Sequence, residues 1–262
     1  MTVAVHVTAG PLGDAERGEA VFGGALVVFR DVAPLRDFVA LADGLIRAAL
    51  GADPVRSPAD PAAVADLQRR ARHHPELEAA FSAVLGAAGA AVERCCWDWL
   101  YLRVQPPEDP AARGTLGIHR DTWSSNVYAQ TNWWTPIYPI SRDRTVAFHP
   151  AYWSRPVANT SAAWDLDRVR EQPPVPEPTE PVDPAGELRV VIEPGDLLCF
   201  SGAHLHASVA NTSAVTRFSV EVRTVNRDDV AAGRGAPNVD GAAPHTAWRW
   251  FRGVIDGAAL GA

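Results

Sequence analysis

The chain has few cysteines, a single methionine and no long uncharged apolar run. Three cysteines occur in 262 residues, two of them adjacent at Cys95 and Cys96, which is too few for a disulfide framework. No apolar run approaches the roughly 20 residues that cross a bilayer, and no signal-like segment opens the chain. We therefore expect a cytoplasmic protein that does not insert into membranes.

Basic clusters are also missing. The formal net charge is −7, and no run of Lys and Arg provides a surface for nucleic acid. Hydrophobic residues make up 47% of the chain, which is enough for a globular interior. The composition favours a globular protein that does not bind nucleic acid, and it predicts no oligomeric state.

Helical patterns come first and strand patterns afterwards. Residues 20–30 are apolar and predict a strand pair or a single bent strand. Helices are predicted over Pro34 to Leu50, Asp60 to Arg72 and Pro75 to Ala90, each of which begins with a Pro or Asp-Pro start signal. The third is expected to end near Gly86 or Gly89. From Cys95 onward the chain is rich in strand patterns. This order predicts an α+β fold in which helices brace one side of the sheets.

Prolines are concentrated in one segment. Residues 171–184 contain six of them, and proline disrupts both helices and central strands because it lacks the backbone N–H. We expect an extended surface loop over residues 171–186. Its role stays open between an insertion connecting strands and a lid or partner-binding loop near the mouth of a site.

Residues suited to binding a metal occur at two places in the second half. His119 and Asp121 are two residues apart, so on an extended chain they share a face, and so do His204 and His206. Two histidines and one carboxylate can bind non-haem Fe(II) on one side and leave its other side open to substrates. A lone His-x-Asp pair is common by chance, so the strand patterns around these residues carry the prediction. Either His204 or His206 could complete the set.

An arginine follows the second histidine pair on a predicted strand. Arg217 begins a run to Arg223 that alternates polar and apolar residues, as expected of a half-buried strand. A planar guanidinium can bind a carboxylate through two parallel hydrogen bonds. Arg223 lies on the same face and is the weaker candidate. A metal site beside such an arginine indicates an organic acid as cosubstrate.

Aromatic residues are frequent near these motifs. The chain has nine tryptophans, and successive strand residues face opposite sides, so Trp133 and Trp134 cannot both line one cavity. Trp123, two residues after Asp121, is the preferred pocket-lining residue, and Trp134 is a second candidate for contact with substrate.

The chain resembles the Fe(II)/2-oxoglutarate-dependent dioxygenases, and most of all their phytanoyl-CoA dioxygenase branch. The likeness covers about residues 95–225, including segments that match the branch's middle strands over 130–136 and 145–150. The remaining matching residues are His119-Arg120-Asp121, the turn Pro194-Gly195-Asp196-Leu197, His206 with Ser208 and Asn211-Thr212-Ser213, and Arg217.

The resemblance implies a fold and a site. The fold is a double-stranded β-helix, the jelly-roll or cupin-like architecture, over residues 95–225 of a single domain spanning 1–262. Residues 20–94 would be its helical support, and residues 226–262 would be a C-terminal extension. The implied Fe(II) ligands are His119, Asp121 and His206, and Arg217 would bind 2-oxoglutarate. Candidates for further contacts are Asn132 and Ser219 with the cosubstrate, and His204 with the substrate or a ligand.

The implied reaction uses 2-oxoglutarate and O2 and releases succinate and CO2. Its organic product would be a hydroxylated, desaturated or epoxidised small molecule, as in a biosynthetic tailoring step. Asp121 separates the chain from the halogenases of the superfamily, which lack this carboxylate. Two alternatives stay open: a cupin-like metal-dependent isomerase or hydrolase, which has no need of Arg217, and a ligand-binding relative without turnover.

Overall fold

A computed structural model describes residues 4–57, 60–107, 116–168 and 171–260. It is a mixed α/β fold with an eight-stranded sheet and a three-stranded sheet. The α-helices are α1 (Asp14–Phe22), α2 (Ala33–Leu50), α3 (Pro61–Ala71), α4 (Pro75–Ala87), α5 (Thr122–Ser125) and α6 (Arg227–Ala231). The strands are β1 (Val5–Thr8), β2 (Leu26–Phe29), β3 (Cys95–Trp97), β4 (Tyr101–Gln105), β5 (Gln130–Pro136), β6 (Val146–Phe148), β7 (Leu188–Val190), β8 (Leu197–Ser201), β9 (His206–Ser208), β10 (Arg217–Asn226) and β11 (Arg252–Gly253). Three short 3-10 helices cover Pro150–Tyr152, Ser161–Ala163 and Trp248–Trp250.

The three predicted helices are confirmed as α2, α3 and α4. The carboxylate of Asp60 caps α3 by accepting a hydrogen bond of 3.2 Å from the backbone N–H of Ala62. Helix α4 ends at Ala87, between Gly86 and Gly89, near one of which its end is predicted. Gly89 takes a φ of 94°, a backbone conformation that ends helices and favours glycine.

The strand predicted over residues 20–30 is wrong in its first half. Helix α1 continues to Phe22, because Val21 is fully buried in the core that α1 shares with the helices and the large sheet. Only Leu26–Phe29 forms a strand. The turn between them requires Gly24, which has a φ of 96° and a Cβ position only 2.7 Å from the ring of Trp153.

The large sheet separates two cores. Its strand order is β1-β2-β8-β5-β10-β3-β11, and β4 also pairs with β10. Alternate residues on one face, including Trp133 and Val222, pack with helices α2 and α4. Residues on the opposite face, including Trp134 and Phe200, pack against the small sheet of order β7-β6-β9. The predicted helices therefore do brace one side, and the other side faces a second sheet across an apolar interior.

The Pro-rich segment is a loop, as predicted. Residues 171–187 contain neither helix nor strand and are mostly exposed, with one isolated bridge between Pro178 and Asn159. Val182 contacts a small buried cluster that includes Trp123 and Tyr152. Among the described helices, none combines the length and the apolar character needed to span a bilayer.

Candidate metal centre and carboxylate-binding site

Two of the predicted ligands are paired through their backbones. The N–H of His119 donates to the carbonyl of His206, and the N–H of His206 donates to the carbonyl of His119, both at 2.9 Å. This reciprocal pair extends the small sheet beyond β9. The two imidazole rings consequently lie with their centroids 4.4 Å apart.

Asp121 completes a cluster of three possible metal ligands. Nε2 of His119 is 3.6 Å from one carboxylate oxygen of Asp121, and Nε2 of His206 is 3.9 Å from the other. One ligand atom from each residue lies within 4.8 Å of the other two, and all three side chains are buried. The structure therefore brings His119, Asp121 and His206 to a common point.

Hydrogen bonds orient both imidazoles toward that point. Nδ1 of His119 donates to the carbonyl of Gly117 at 2.8 Å, and Nδ1 of His206 donates to the carbonyl of His204 at 2.9 Å. A carbonyl oxygen can only accept, so these bonds place the proton on Nδ1 and leave Nε2 with a free lone pair. Nε2 of His119 is buried without a hydrogen-bond partner among the described residues. Such an atom is explained by a cation that it would bind.

The protonation states suit a divalent cation. Burial, followed by the charge of His119, lowers the pKa of His206 to about 4, so this ring is neutral at pH 7. Burial opposes ionisation of Asp121, but the charge of Arg223 and the contacts with the two histidines outweigh it and lower the pKa of the carboxyl. Two imidazoles and a carboxylate form the donor set that non-haem Fe(II) enzymes use.

Arg217 is a buried cation without an acidic partner among the described residues. Its side chain is 3% exposed, Nη1 donates to the carbonyl of Thr145 at 2.9 Å, and Nη2 contacts the hydroxyl of Ser208 at 3.4 Å. Its Nε has no partner, and no described residue forms an ion pair with it. Burial, followed by the charge of Arg103, lowers the pKa of Arg217 to about 10. The guanidinium therefore has donors and positive charge available for a carboxylate.

One cavity is lined both by His119 and His206, two of the candidate ligands, and by Arg217. Its wall combines the two histidines and charged side chains with apolar groups contributed by both sheets. The lining residues are Arg103, Leu116, His119, Trp134, Val146, Phe200, His206, Ala207, Ser208, Arg217 and Glu221. The imidazoles of both histidines and the guanidinium of Arg217 therefore border the same space.

The two other predicted cosubstrate contacts have different surroundings. Ser219 lies on the same face of β10 as Arg217, and its buried hydroxyl has no partner among the described residues. Its predicted contact with a cosubstrate stays a prediction. The side-chain amide of Asn132 is already engaged, because its Nδ2 donates to Asp121 and its Oδ1 accepts from Gln130 at 2.9 Å. Its position indicates a role toward Asp121 instead.

His204 lies apart from the three ligand atoms. Its ring nitrogens each lie 3.1 Å from a backbone carbonyl oxygen, one of Ser201 and one of Gly24. Its ring packs against Trp153 with the centroids 4.5 Å apart. The structure thus favours His206 over His204 as the second histidine ligand. Both ring nitrogens of His204 face backbone carbonyls, so neither is directed at the cavity for contact with a substrate.

Trp133 and Trp134 face opposite sides of β5, as strand alternation requires. Trp134 lines the cavity, whereas Trp133 faces the helices and donates from Nε1 to the hydroxyl of Thr224 at 2.8 Å. Trp123 is not among the cavity-lining residues, which corrects the expectation for it. The chain forms the helical turn α5 directly after Asp121, and this turn directs Trp123 away to donate to Asp240 at 2.7 Å.

Sequence reasoning missed several charged neighbours. Glu221 lines the cavity between two cations, with its carboxylate 3.5 Å from Arg103 and 3.2 Å from Arg223. Burial opposes ionisation of Glu221, but these two charges lower its pKa overall. Alternation along β10 places residue 221 on the face of Arg217 and could have revealed it. Arg103, which contacts Glu221, and Asp98, which contacts Arg223, could not be found in this way. The pairing of β4 and β3 with β10 is not visible in the sequence.

No protein-family model matches the chain, and no curated protein matches it by sequence. The crystal structure of EvdO2 from Micromonospora carbonacea var. aurantiaca, complexed with 2-oxoglutarate, superimposes with a TM-score of 0.52 at 15% identity. The alignment covers 84% of this chain and 93% of EvdO2. The chain therefore shares the fold of EvdO2.

Two other solved structures align with the chain over comparable lengths. The epimerase SnoN of nogalamycin biosynthesis is 17% identical, with 89% of this chain and 96% of SnoN aligned at a TM-score of 0.41. The non-haem monooxygenase ThoJ is 16% identical, with 76% of this chain and 74% of ThoJ aligned at a TM-score of 0.42.

Proposed function

We propose that this protein is an Fe(II)- and 2-oxoglutarate-dependent oxygenase that oxidises a small-molecule metabolite in a biosynthetic tailoring step. In this proposal His119, Asp121 and His206 bind the iron, and Arg217 binds the carboxylate of 2-oxoglutarate that is remote from the metal. With both bound, the site supplies the activation of O2 that hydroxylation, desaturation or epoxidation requires.

One observation carries the proposal: His119 and His206 line the same cavity as Arg217, and Asp121 completes the cluster of candidate ligands beside them. A buried guanidinium without an acidic partner is costly, and a ligand carboxylate would compensate its charge. A metal-dependent isomerase or hydrolase that does not use a dicarboxylate gives no reason for such an arginine.

Apolar residues that line the cavity exclude water from the site. Trp134, Val146 and Phe200 form apolar walls beside the cluster of candidate metal ligands, so charged groups in the cavity interact in a poorly solvated environment. The small sheet facing the large one, with the site between them, is compatible with the double-stranded β-helix that we propose for residues 95–225.

The experiment is anaerobic reconstitution with Fe(II), followed by addition of 2-oxoglutarate. Chelation of the metal by the 2-oxo acid is expected to produce a visible charge-transfer band. His206→Ala should abolish the band, and Arg217→Gln should raise the 2-oxoglutarate concentration needed for it by 10- to 100-fold, because it removes a charge-assisted interaction. Arg249→Gln is the matched control, since Arg249 forms an exposed ion pair remote from the cavity.

The contrary outcomes differ in meaning. If the native protein binds Fe(II) but gives no band with 2-oxoglutarate, the cosubstrate assignment is wrong and a cupin-like isomerase or hydrolase becomes the better hypothesis. If Arg217→Gln behaves like Arg249→Gln, the role of Arg217 is wrong even though the metal site stands.

A further inference from the structure

The three proposed ligands differ in what orients them. Both histidines are held by hydrogen bonds from Nδ1 to backbone carbonyls close to them in sequence. No backbone N–H of the described residues donates to the carboxylate of Asp121, which is the N-cap of the short helical turn α5. Its carboxylate can rotate unless other side chains restrain it.

Asn132 on β5 is the first such side chain. Its Nδ2 donates to Oδ2 of Asp121, and its Oδ1 accepts from Nε2 of Gln130 at 2.9 Å, which fixes the amide orientation. Gly202 closes the space beside this chain of contacts. A Cβ at residue 202 would lie 2.8 Å from Nε2 of Gln130 and 3.3 Å from Cβ of Asp121.

Arg223 on β10 is the second side chain that can restrain the carboxylate of Asp121. It is the cross-strand partner of Asn132 in the pairing of β10 with β5, so the two side chains extend from neighbouring positions on the same face. Nη1 of Arg223 lies 3.9 Å from Oδ1 of Asp121. Asn132 and Arg223 thus approach different oxygens of one carboxylate.

Arg223 is itself firmly placed. Its Nε lies 3.5 Å from Oδ2 of Asp98 and 3.2 Å from Oε1 of Glu221, and its guanidinium packs on the ring of Tyr101 at 4.7 Å from the centroid. Asp98 also accepts a hydrogen bond from the backbone N–H of Arg223 at 3.2 Å. A planar cation with these contacts is a rigid reference for the carboxylate beside it.

We propose that Asn132 and Arg223 are positioning residues that hold the Asp121 carboxylate in the orientation for one-oxygen metal ligation. This inference rests on the proposed metal site. A carboxylate free to rotate could ligate through both oxygens and occupy a coordination position that a chelating cosubstrate needs. Neither residue touches the metal, and both act through Asp121.

Charge alone predicts the opposite effect. A guanidinium near a divalent cation repels it, so removal of Arg223 by electrostatics alone would strengthen metal binding. Loss of a group that orients a ligand instead weakens metal binding, typically by 10- to 100-fold. The sign of the change in metal affinity therefore separates the two explanations.

The test is titration of the metal-free protein with Co(II), monitored by its visible absorption. Asn132→Leu and Arg223→Gln should each weaken Co(II) binding 10- to 100-fold. Arg223→Lys, which keeps the charge but loses the planar group, should also weaken it. Arg217→Gln is the matched control from the same strand and face, and its Co(II) affinity should equal or exceed that of the native protein.

Unchanged or tighter Co(II) binding by Arg223→Gln and unchanged binding by Asn132→Leu would overturn the inference while the proposed metal site stands. Absence of Co(II) binding to the native protein would overturn both proposals. Far-UV circular dichroism verifies folding of each variant. If Arg223→Gln does not fold, Asn132→Leu and Arg223→Lys decide, and native affinity in both would overturn the inference.

Discussion

The side chain of Arg120 forms a buried ion pair with Asp240, with Nε 3.1 Å from the carboxylate. Arg120 stands between two proposed ligands in sequence, yet it faces away from them. It also donates to the carbonyls of Ala203, Tyr152 and Arg155, at 2.6, 2.7 and 3.2 Å. This pair attaches the C-terminal part of the chain to the segment that carries His119 and Asp121.

Replacement of Arg120 by Met should therefore be strongly destabilising. The change leaves Asp240 buried without its cation and deprives three carbonyls of a donor, so we expect a loss of about 3–5 kcal/mol. Urea unfolding measures it. Arg249→Met is the control, because the exposed Arg249–Asp167 pair should contribute about 0–1 kcal/mol. Equal losses in the two variants would contradict a structural role for the Arg120–Asp240 pair.

Substitution of His206 and substitution of His204 should have different effects. His206→Ala removes a proposed ligand, so bound iron measured after reconstitution should fall to background. His204→Gln should retain iron but melt at a lower temperature, because His204 fills space against Trp153 and Phe200. Loss of iron from His204→Gln with full retention by His206→Ala would reverse the assignment.

Two glycine substitutions should act in opposite directions. Gly202→Ala forces its new methyl against Gln130 and Asp121, so both stability and metal affinity should fall. Gly44→Ala lies in the exposed interior of α2 with nothing within 4 Å of the new Cβ, and it should stabilise the protein by about 0.5–1 kcal/mol. Thermal unfolding compares both with the native protein. A neutral Gly202→Ala would show that the wall beside Asp121 can relax.

Asp98 should make a pH-dependent contribution to stability. Burial raises the pKa of Asp98 to about 6, despite the opposing charge of Arg223. A carboxyl that binds its proton more tightly when folded stabilises the fold at low pH, and this contribution is lost as the pH rises from about 4 through about 6. The unfolding free energy of Asp98→Asn, relative to the native protein, should therefore increase between pH 4 and 7 by on the order of 2–3 kcal/mol. Parallel pH profiles of the two proteins would contradict it.

Local chemistry made some features predictable from sequence alone. Helices α2, α3 and α4 follow from Pro and Asp-Pro starts, and the loop over residues 171–186 follows from its prolines. His119 and Asp121 are two residues apart, and this short separation in the chain keeps their side chains close together. Alternation likewise predicted that only one of Trp133 and Trp134 faces the cavity.

Long-range pairing decided the remainder. His206 was preferred over His204 from a resemblance, but only the backbone pairing with His119 shows its ring directed at the other ligands. The contacts of Asn132 and Arg223 with Asp121 depend on the register of β5 against β10, which no local pattern encodes. Trp123 was misplaced because a single helical turn after Asp121 rotates it away from the cavity. The sequence by itself determined which residue types could form the site, since their chemistry is local. Tertiary structure decided which of them meet, because strand register is set by the packing of the whole sheet.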